Sequence, residues 1–154
     1  VICASTSAED IWTFQSNTSN IILGDKLAHC DVNGDGFTDL VTASWNSSLF
    51  VFLGQKDGSF KNTPDTFFRV SNTTDTKNMV LECADINTDG YSDLVFALWD
   101  TLEPVVVFNG TPQGLFSTGI LLNYTSDDVT TMMADDFNND GFLDLAITSY
   151  FGDL

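Results

Sequence analysis

Basic residues are scarce in this chain, with 5 Lys and Arg against 22 Asp and Glu, a formal net charge of −17 over 154 residues. Charge of that sign argues against nucleic acid or an anionic membrane surface as partner. No apolar run approaches the roughly 20 residues that span a bilayer, so no membrane insertion by this segment is expected. The sequence opens at Val1, with no Met and no signal-peptide pattern, and reads as a mature or excised segment. Histidine is limited to His29, two residues before an acidic turn and without a paired Ser or Cys nucleophile; a structural role fits it better than catalysis. No segment carries helical periodicity. Cysteine is confined to Cys3, Cys30 and Cys83, with no C-x-x-C and no zinc spacing. Either one disulfide forms, with Cys3 to Cys30 the first pairing to test, or Cys30 and Cys83 are small buried strand residues.

What is present is enough to fold: 43% hydrophobic and 12% aromatic residues exclude disorder on composition. Three turns share the pattern Asp-x-Asn-x-Asp-Gly-x-x-Asp-Leu. They are Asp31, Asn33, Asp35, Gly36, Asp39 and Leu40; Asp85, Asn87, Asp89, Gly90, Asp93 and Leu94; and Asp136, Asn138, Asp140, Gly141, Asp144 and Leu145. Their spacings of 54 and 51 residues are those of stacked supersecondary units.

The segments between the turns repeat too. Each turn is followed by an apolar run ending in an aromatic, at 39–45, 93–99 and 144–150, which reads as a buried strand. Leu49–Leu53 and Val105–Phe108 form second strands. Each enters a turn of one grammar, Phe52-x-Gly54-x-x-x-Gly58-x-Phe60 and Phe108-x-Gly110-x-x-x-Gly114-x-Phe116, whose glycines are expected to supply positive φ at the reversal. Further strands are expected near 67–70 and 120–123, and others at 79–84 and 131–135 lead into the next turn. Four short antiparallel strands per unit of about 52 residues make an all-β protein of β-propeller blades. The chain then holds about three blade-equivalents of a partial propeller: outer strands of a preceding blade in 1–25, with Ile11–Phe14 and Ile21–Leu23 as candidates; blades at 26–78 and 79–129; and the first half of a blade at 130–154. Closed propellers take 4 to 8 blades, so the chain reads as a fragment of a larger propeller or, alternatively, as a copy whose half-blade is completed by a neighbour.

Each turn brings side-chain oxygens from positions 1, 3, 5 and 9 to one side, with Gly at position 6 permitting the reversal. Position 7 (Phe37, Tyr91, Phe142) offers a carbonyl while its ring is expected to enter the core. Three carboxylates, one amide and one carbonyl suit Ca²⁺ better than Mg²⁺, which demands stricter octahedral geometry. Three Ca²⁺ sites are therefore expected, bringing −17 to about −11 when all are filled. An EF-hand is excluded, because position 12 is Thr42, Phe96 or Ile147 rather than Glu and the flanks are strands. The competing reading is a set of Asx-turns held by local hydrogen bonds, against which stands the repulsion of three clustered carboxylates without a cation.

These turns, together with the Phe-x-Gly turns, resemble the FG-GAP or VCBS repeats of integrin α-subunit-like β-propellers over about residues 26 to 150. The resemblance implies calcium-stabilised blades of an extracellular propeller, usually seven-bladed, with structural metal and partners bound elsewhere on its faces. The Gly-Ala-Pro part of the family signature is absent, and nothing matches an inserted adhesion domain with an Asp-x-Ser-x-Ser site.

Asn-x-Ser/Thr acceptors occur at Asn17, Asn46, Asn72, Asn109 and Asn123, against roughly 2 or 3 expected by accident. Together with the calcium turns they favour a secreted or extracellular glycoprotein. The clustered carboxylates are assigned to the turns, and Asp127, Asp128 and Asp135 read as solvated or supporting, so no enzyme is expected. An adhesive or structural-assembly module is the favoured class, contacting protein partners or further copies of itself through blade faces and edges. A carbohydrate-binding propeller using Trp12, Trp45 and Trp99 to engage glycans is the alternative, although Trp45 and Trp99 share one strand position and suit blade packing.

Overall fold

The computed structural model describes residues 24–44, 47–70, 79–98, 105–117, 120–122 and 129–149. Ten strands and no helix lie among them. β1 (Lys26–Cys30), β2 (Asp39–Ser44), β3 (Ser48–Phe52) and β4 (Thr66–Arg69) form one antiparallel sheet in chain order. β5 (Met79–Ala84), β6 (Asp93–Leu98), β7 (Val106–Phe108) and β8 (Ile120–Leu121) form a second of the same order, and β9 (Val129–Asp135) pairs with β10 (Asp144–Ser149) alone. Two four-stranded meanders and a third begun on the same plan are the blades of a partial β-propeller.

One register recurs at each acidic turn. Cys30 pairs with Asp39, Ala84 with Asp93, and Asp135 with Asp144. Each turn thus closes the hairpin between the first two strands of its unit. The apolar runs after the turns begin as expected at Asp39, Asp93 and Asp144; positions 45, 99 and 150 lie outside the described residues, as do 1–23 and the two strands expected there.

Period-2 alternation gives each sheet two faces; β6 of the middle sheet is apolar on both because both are covered, whereas Ala146 and Thr148 of β10 are exposed. On the first sheet, Val41, Ala43, Leu49 and Val51 pack against Met79, Cys83, Leu94 and Phe96 of the second. The other face of the second sheet, with Val95, Ala97, Val105 and Val107, packs against Met132, Leu145 and Ile147 of the third. Phe96 is 1% exposed, and truncating it to alanine would cost about 3–5 kcal/mol. Phe68 meets Phe108 and Phe116 at ring-centroid distances of 5.8 and 5.7 Å, which joins the outer strands of the first two sheets.

β1, β5 and β9 stand side by side, each touching the next. Here the cysteines correct expectation: Cys30 of β1 is bonded to Cys83 of β5, with Cα atoms 5.8 Å apart, rather than to Cys3, which lies outside the described residues. Stacking the sheets instead brings together two inner-strand residues 53 positions apart.

The turn glycines divide by role. Gly58 (φ +77°) and Gly114 (φ +67°) supply the expected positive φ, but Gly54 and Gly110 do not. A Cβ on Gly54 would lie 2.2 Å from the Thr38 carbonyl oxygen, and one on Gly110 would lie 2.4 Å from that of Ser92. The glycine of Phe-x-Gly is there because the backbone of the acidic turn passes against it.

Candidate metal-binding turns

The three acidic turns share one internal hydrogen-bond plan. In the first, the Asp31 carboxylate accepts from the Asp35 N–H through Oδ1 (3.1 Å) and from the Gly36 N–H through Oδ2 (2.8 Å). Asn33 Oδ1 also accepts from the Asp35 N–H (3.1 Å), and Asp35 Oδ1 accepts from the Phe37 N–H (2.9 Å). Asp85, Asn87 and Asp89 make the same bonds in the second turn. Asp136, Asn138 and Asp140 make them in the third. The chain folds this way because a short acceptor side chain two residues ahead of a free N–H closes an Asx-turn. Gly36, Gly90 and Gly141 follow at φ +85°, +91° and +89°, where a side chain is strained.

Position 9 serves a different end. Asp39 is fully buried; its Oδ2 accepts from the Val32 N–H (2.9 Å) and its Oδ1 from the Gly54 N–H (2.7 Å). Asp93 repeats this with Ile86 (3.1 Å) and Asn87 (3.2 Å) on one oxygen and Gly110 (2.9 Å) on the other. Each carboxylate ties the acidic turn to the Phe-x-Gly turn of its own sheet. Burial pushes both carboxyls above the ordinary carboxylate range; the N–H donors pull the other way, and the charges of Asp35 and Asp31, or of Asp89, add to the rise.

The sequence gathers the right elements for a hard cation on each turn, and the donors available are oxygens throughout. Among the described residues, however, no three His, Cys, Asp or Glu side chains converge as a metal-holding group. The reason is visible in the bonds: positions 1, 3 and 5 face the turn's own N–H groups, while Asp39 and Asp93 at position 9 turn inward to the neighbouring hairpin; Asp144, at the same position of the third turn, is half-buried. The donor chemistry, oxygen throughout, suits a hard cation such as calcium. Gathering Asp31, Asn33, Asp35 and Asp39, or their counterparts, around one ion requires these side chains to reorient.

Position 7 departs from expectation. Phe37 is 37% and Phe142 62% exposed, so neither ring enters the core, and Tyr91 is half-buried. The Tyr91 ring lies against Gly34 of the first turn: a Cβ at Gly34 would come within 3.0 Å of the Tyr91 ring. The Ser92 N–H donates to the Asp31 carbonyl (3.0 Å). The Tyr91 ring therefore covers the turn of the preceding sheet rather than its own core, a contact between units that no local pattern encodes.

His29 is exposed on β1. Glu82 on β5 is raised above the usual range by burial, against the pull of the Cys83 N–H and of His29. Asp135 is exposed, and its Oδ1 accepts from the Asp136 N–H (2.9 Å). Of the acceptor asparagines only Asn109 is described, half-buried just before Gly110. Asn17, Asn46, Asn72, Asn123, Asp127, Asp128, Trp12, Trp45 and Trp99 lie outside the described residues.

With this geometry in place, comparison with known proteins adds one match and one negative. Residues 31–96, which run from the first acidic turn into β6, match the family described as an FG-GAP-like repeat. No curated protein matches the chain.

Proposed function

We propose that this chain, an FG-GAP-like repeat over residues 31–96, is an extracellular protein-interaction module whose blades are stabilised by calcium and whose role is adhesion or structural assembly. The observation that carries the calcium reading is the threefold recurrence of one all-oxygen turn, identical in side-chain order and in the backbone hydrogen bonds accepted at positions 1, 3 and 5. Only two of the three copies fall within the family match. In this reading Asp31, Asn33, Asp35, Asp39 and the Phe37 carbonyl hold the ion in the first turn. Asp85, Asn87, Asp89, Asp93 and the Tyr91 carbonyl do so in the second, and Asp136, Asn138, Asp140, Asp144 and the Phe142 carbonyl in the third.

Calcium supplies a positive charge where none of the five Lys and Arg residues is placed by the turn pattern. With it bound, the mutual repulsion of the carboxylates and the cost of burying Asp39 and Asp93 both fall. The protein's own residues do the rest: position 9 passes any tightening of the acidic turn to Gly54 or Gly110 in the next hairpin.

The disulfide between Cys30 and Cys83 supports an oxidising compartment, and the acceptor asparagines support a glycosylated surface. No catalytic role is proposed.

The test is thermal unfolding with calcium and with chelator. Millimolar calcium should raise the midpoint by several degrees, since occupancy at 100 times Kd contributes about 2.7 kcal/mol per site. Asp89→Ala should remove part of that rise. Identical melts in calcium and chelator would reject the calcium reading.

A further inference from the structure

The two ends of the described blade stack carry complementary halves of one interface. Inside the chain this interface occurs twice: the back face of one sheet, with Ala28, Cys30 and Val41, meets the front face of the next, with Leu81, Cys83 and Leu94. It recurs between the second sheet and the third. By repeat position, the third sheet's back face carries Met133 where the first has Ala28, Asp135 where it has Cys30, and Ala146 where it has Val41. All three are exposed, Met133 at 58%. At turn position 2, Val32 is fully buried and Ile86 packs into the second core, whereas Phe137 is 52% exposed. The first sheet's front face likewise carries Leu27 and His29 where the second has Leu81 and Cys83. Leu27 is 62% exposed and His29 is open as well.

We infer that this back face, formed by β9 and β10, docks onto the front of β1 and β2 in a second copy of the chain, head to tail. Continuity with the internal interfaces gives the register. Cys30 and Cys83 meet with Cα atoms 5.8 Å apart, and the positions corresponding to that pair at the new junction are Asp135 and His29. By repeat position the disulfide of the first junction corresponds to two small residues, Ala84 and Ala134, at the second, and to an imidazole N–H facing a carboxylate at the third. Met133 then falls beside Leu27. Thr42 and Phe52, farther out on the front face, are already buried. A two-stranded partner needs only the inner part, and two strands are what β9 and β10 offer. The contact is heterologous, so a ring forms only if the rotation closes. This deepens the interaction reading proposed above by naming its partner, and it does not depend on calcium being the bound ion.

The test is sedimentation of the full 154-residue chain in about 0.15 M salt, which screens the −17 charge. The wild type should run as a dimer or larger ring, and Met133→Asp and Leu27→Asp should each weaken association at least about tenfold. Because the contact joins unlike faces, an equimolar mixture of the two variants should recover a heterodimer through the one intact junction. His29→Asp should weaken association by placing two carboxylates together, and adding Asp135→Lys to it should restore it. A monomeric wild type at 100 μM, or failure of both the mixture and the charge exchange to recover association by variants whose melts match wild type, would overturn the proposal. The calcium melts report separately on the metal, so either reading can fail alone.

Discussion

Replacing Cys30 and Cys83 together with alanine would remove a crosslink between residues 53 positions apart. On the chain-entropy account, closing a loop of that length restricts the unfolded chain by about 14 cal/mol/K, or about 4 kcal/mol at 25 °C. Cys83 is 9% exposed, so its lost sulfur adds about 1 kcal/mol from the space left behind. For a chain of this size each kcal/mol moves the midpoint by about 2–4 °C, so the double variant should melt about 10–20 °C below wild type. Calorimetry in calcium, with Cys3→Ala as control, makes the comparison. Both cysteines must go together, because either one left alone could pair with Cys3. The outcome that defeats the reasoning is a double variant melting within about 3 °C of wild type while Cys3→Ala melts lower.

Other outcomes follow from the turns and the sheets. Gly54→Ala should cost more than about 3 kcal/mol in urea unfolding, since its Cβ meets backbone rather than a movable side chain. Gly58→Ala, at φ +77° with nothing within 4 Å, should cost only about 1 kcal/mol; reversal of that order would show the close approach to be unimportant. Thr42→Val should raise stability by about 1 kcal/mol, because the Thr42 hydroxyl is buried with no hydrogen-bond partner. In chelator, stability should rise as pH falls from neutral toward about 4. Asp39, Asp93 and Glu82 have folded pKa values raised above their unfolded ones, so their protonated forms favour the folded state and that contribution is lost as pH rises. Asp57 acts oppositely, its pKa lowered by Ser59, but it lies on the surface, where solvent screens it. Urea midpoints that fall steadily between pH 7 and pH 5 in chelator would contradict this assignment.

Much of the fold was legible because one residue marks it. The Asp that ends each acidic turn opens the next strand, so Asp39, Asp93 and Asp144 fix three strand starts, and the Phe-x-Gly turns fix the hairpins between β3 and β4 and between β7 and β8. What stayed hidden depended on contacts between units. The partner of Cys30 follows from how sheets stack, and the place of the Tyr91 ring follows from Gly34 of the preceding turn lying against it. The role of the Phe-x-Gly glycine is hidden for a related cause: Gly54 looks like a turn residue, yet its constraint comes from Thr38, sixteen positions earlier. The candidate metal ligands were legible as a set of atoms but not as an arrangement. Spacing says which oxygens share a turn and does not say that Asp39 faces Val32 and Gly54.

Asp39 and Gly54, like Asp93 and Gly110, belong to a single unit, so the fastening between acidic turn and hairpin is copied whole whenever the unit is copied. Duplicating such a segment would not oblige any residue within it to change, and the burden of adjustment falls on the seams between neighbours. There the positions equivalent to the disulfide differ from seam to seam: two cysteines, two alanines and, at the junction inferred above, an acid and an imidazole. An array built on this rule can lengthen or shorten cheaply while each seam is tuned separately for permanence or for exchange.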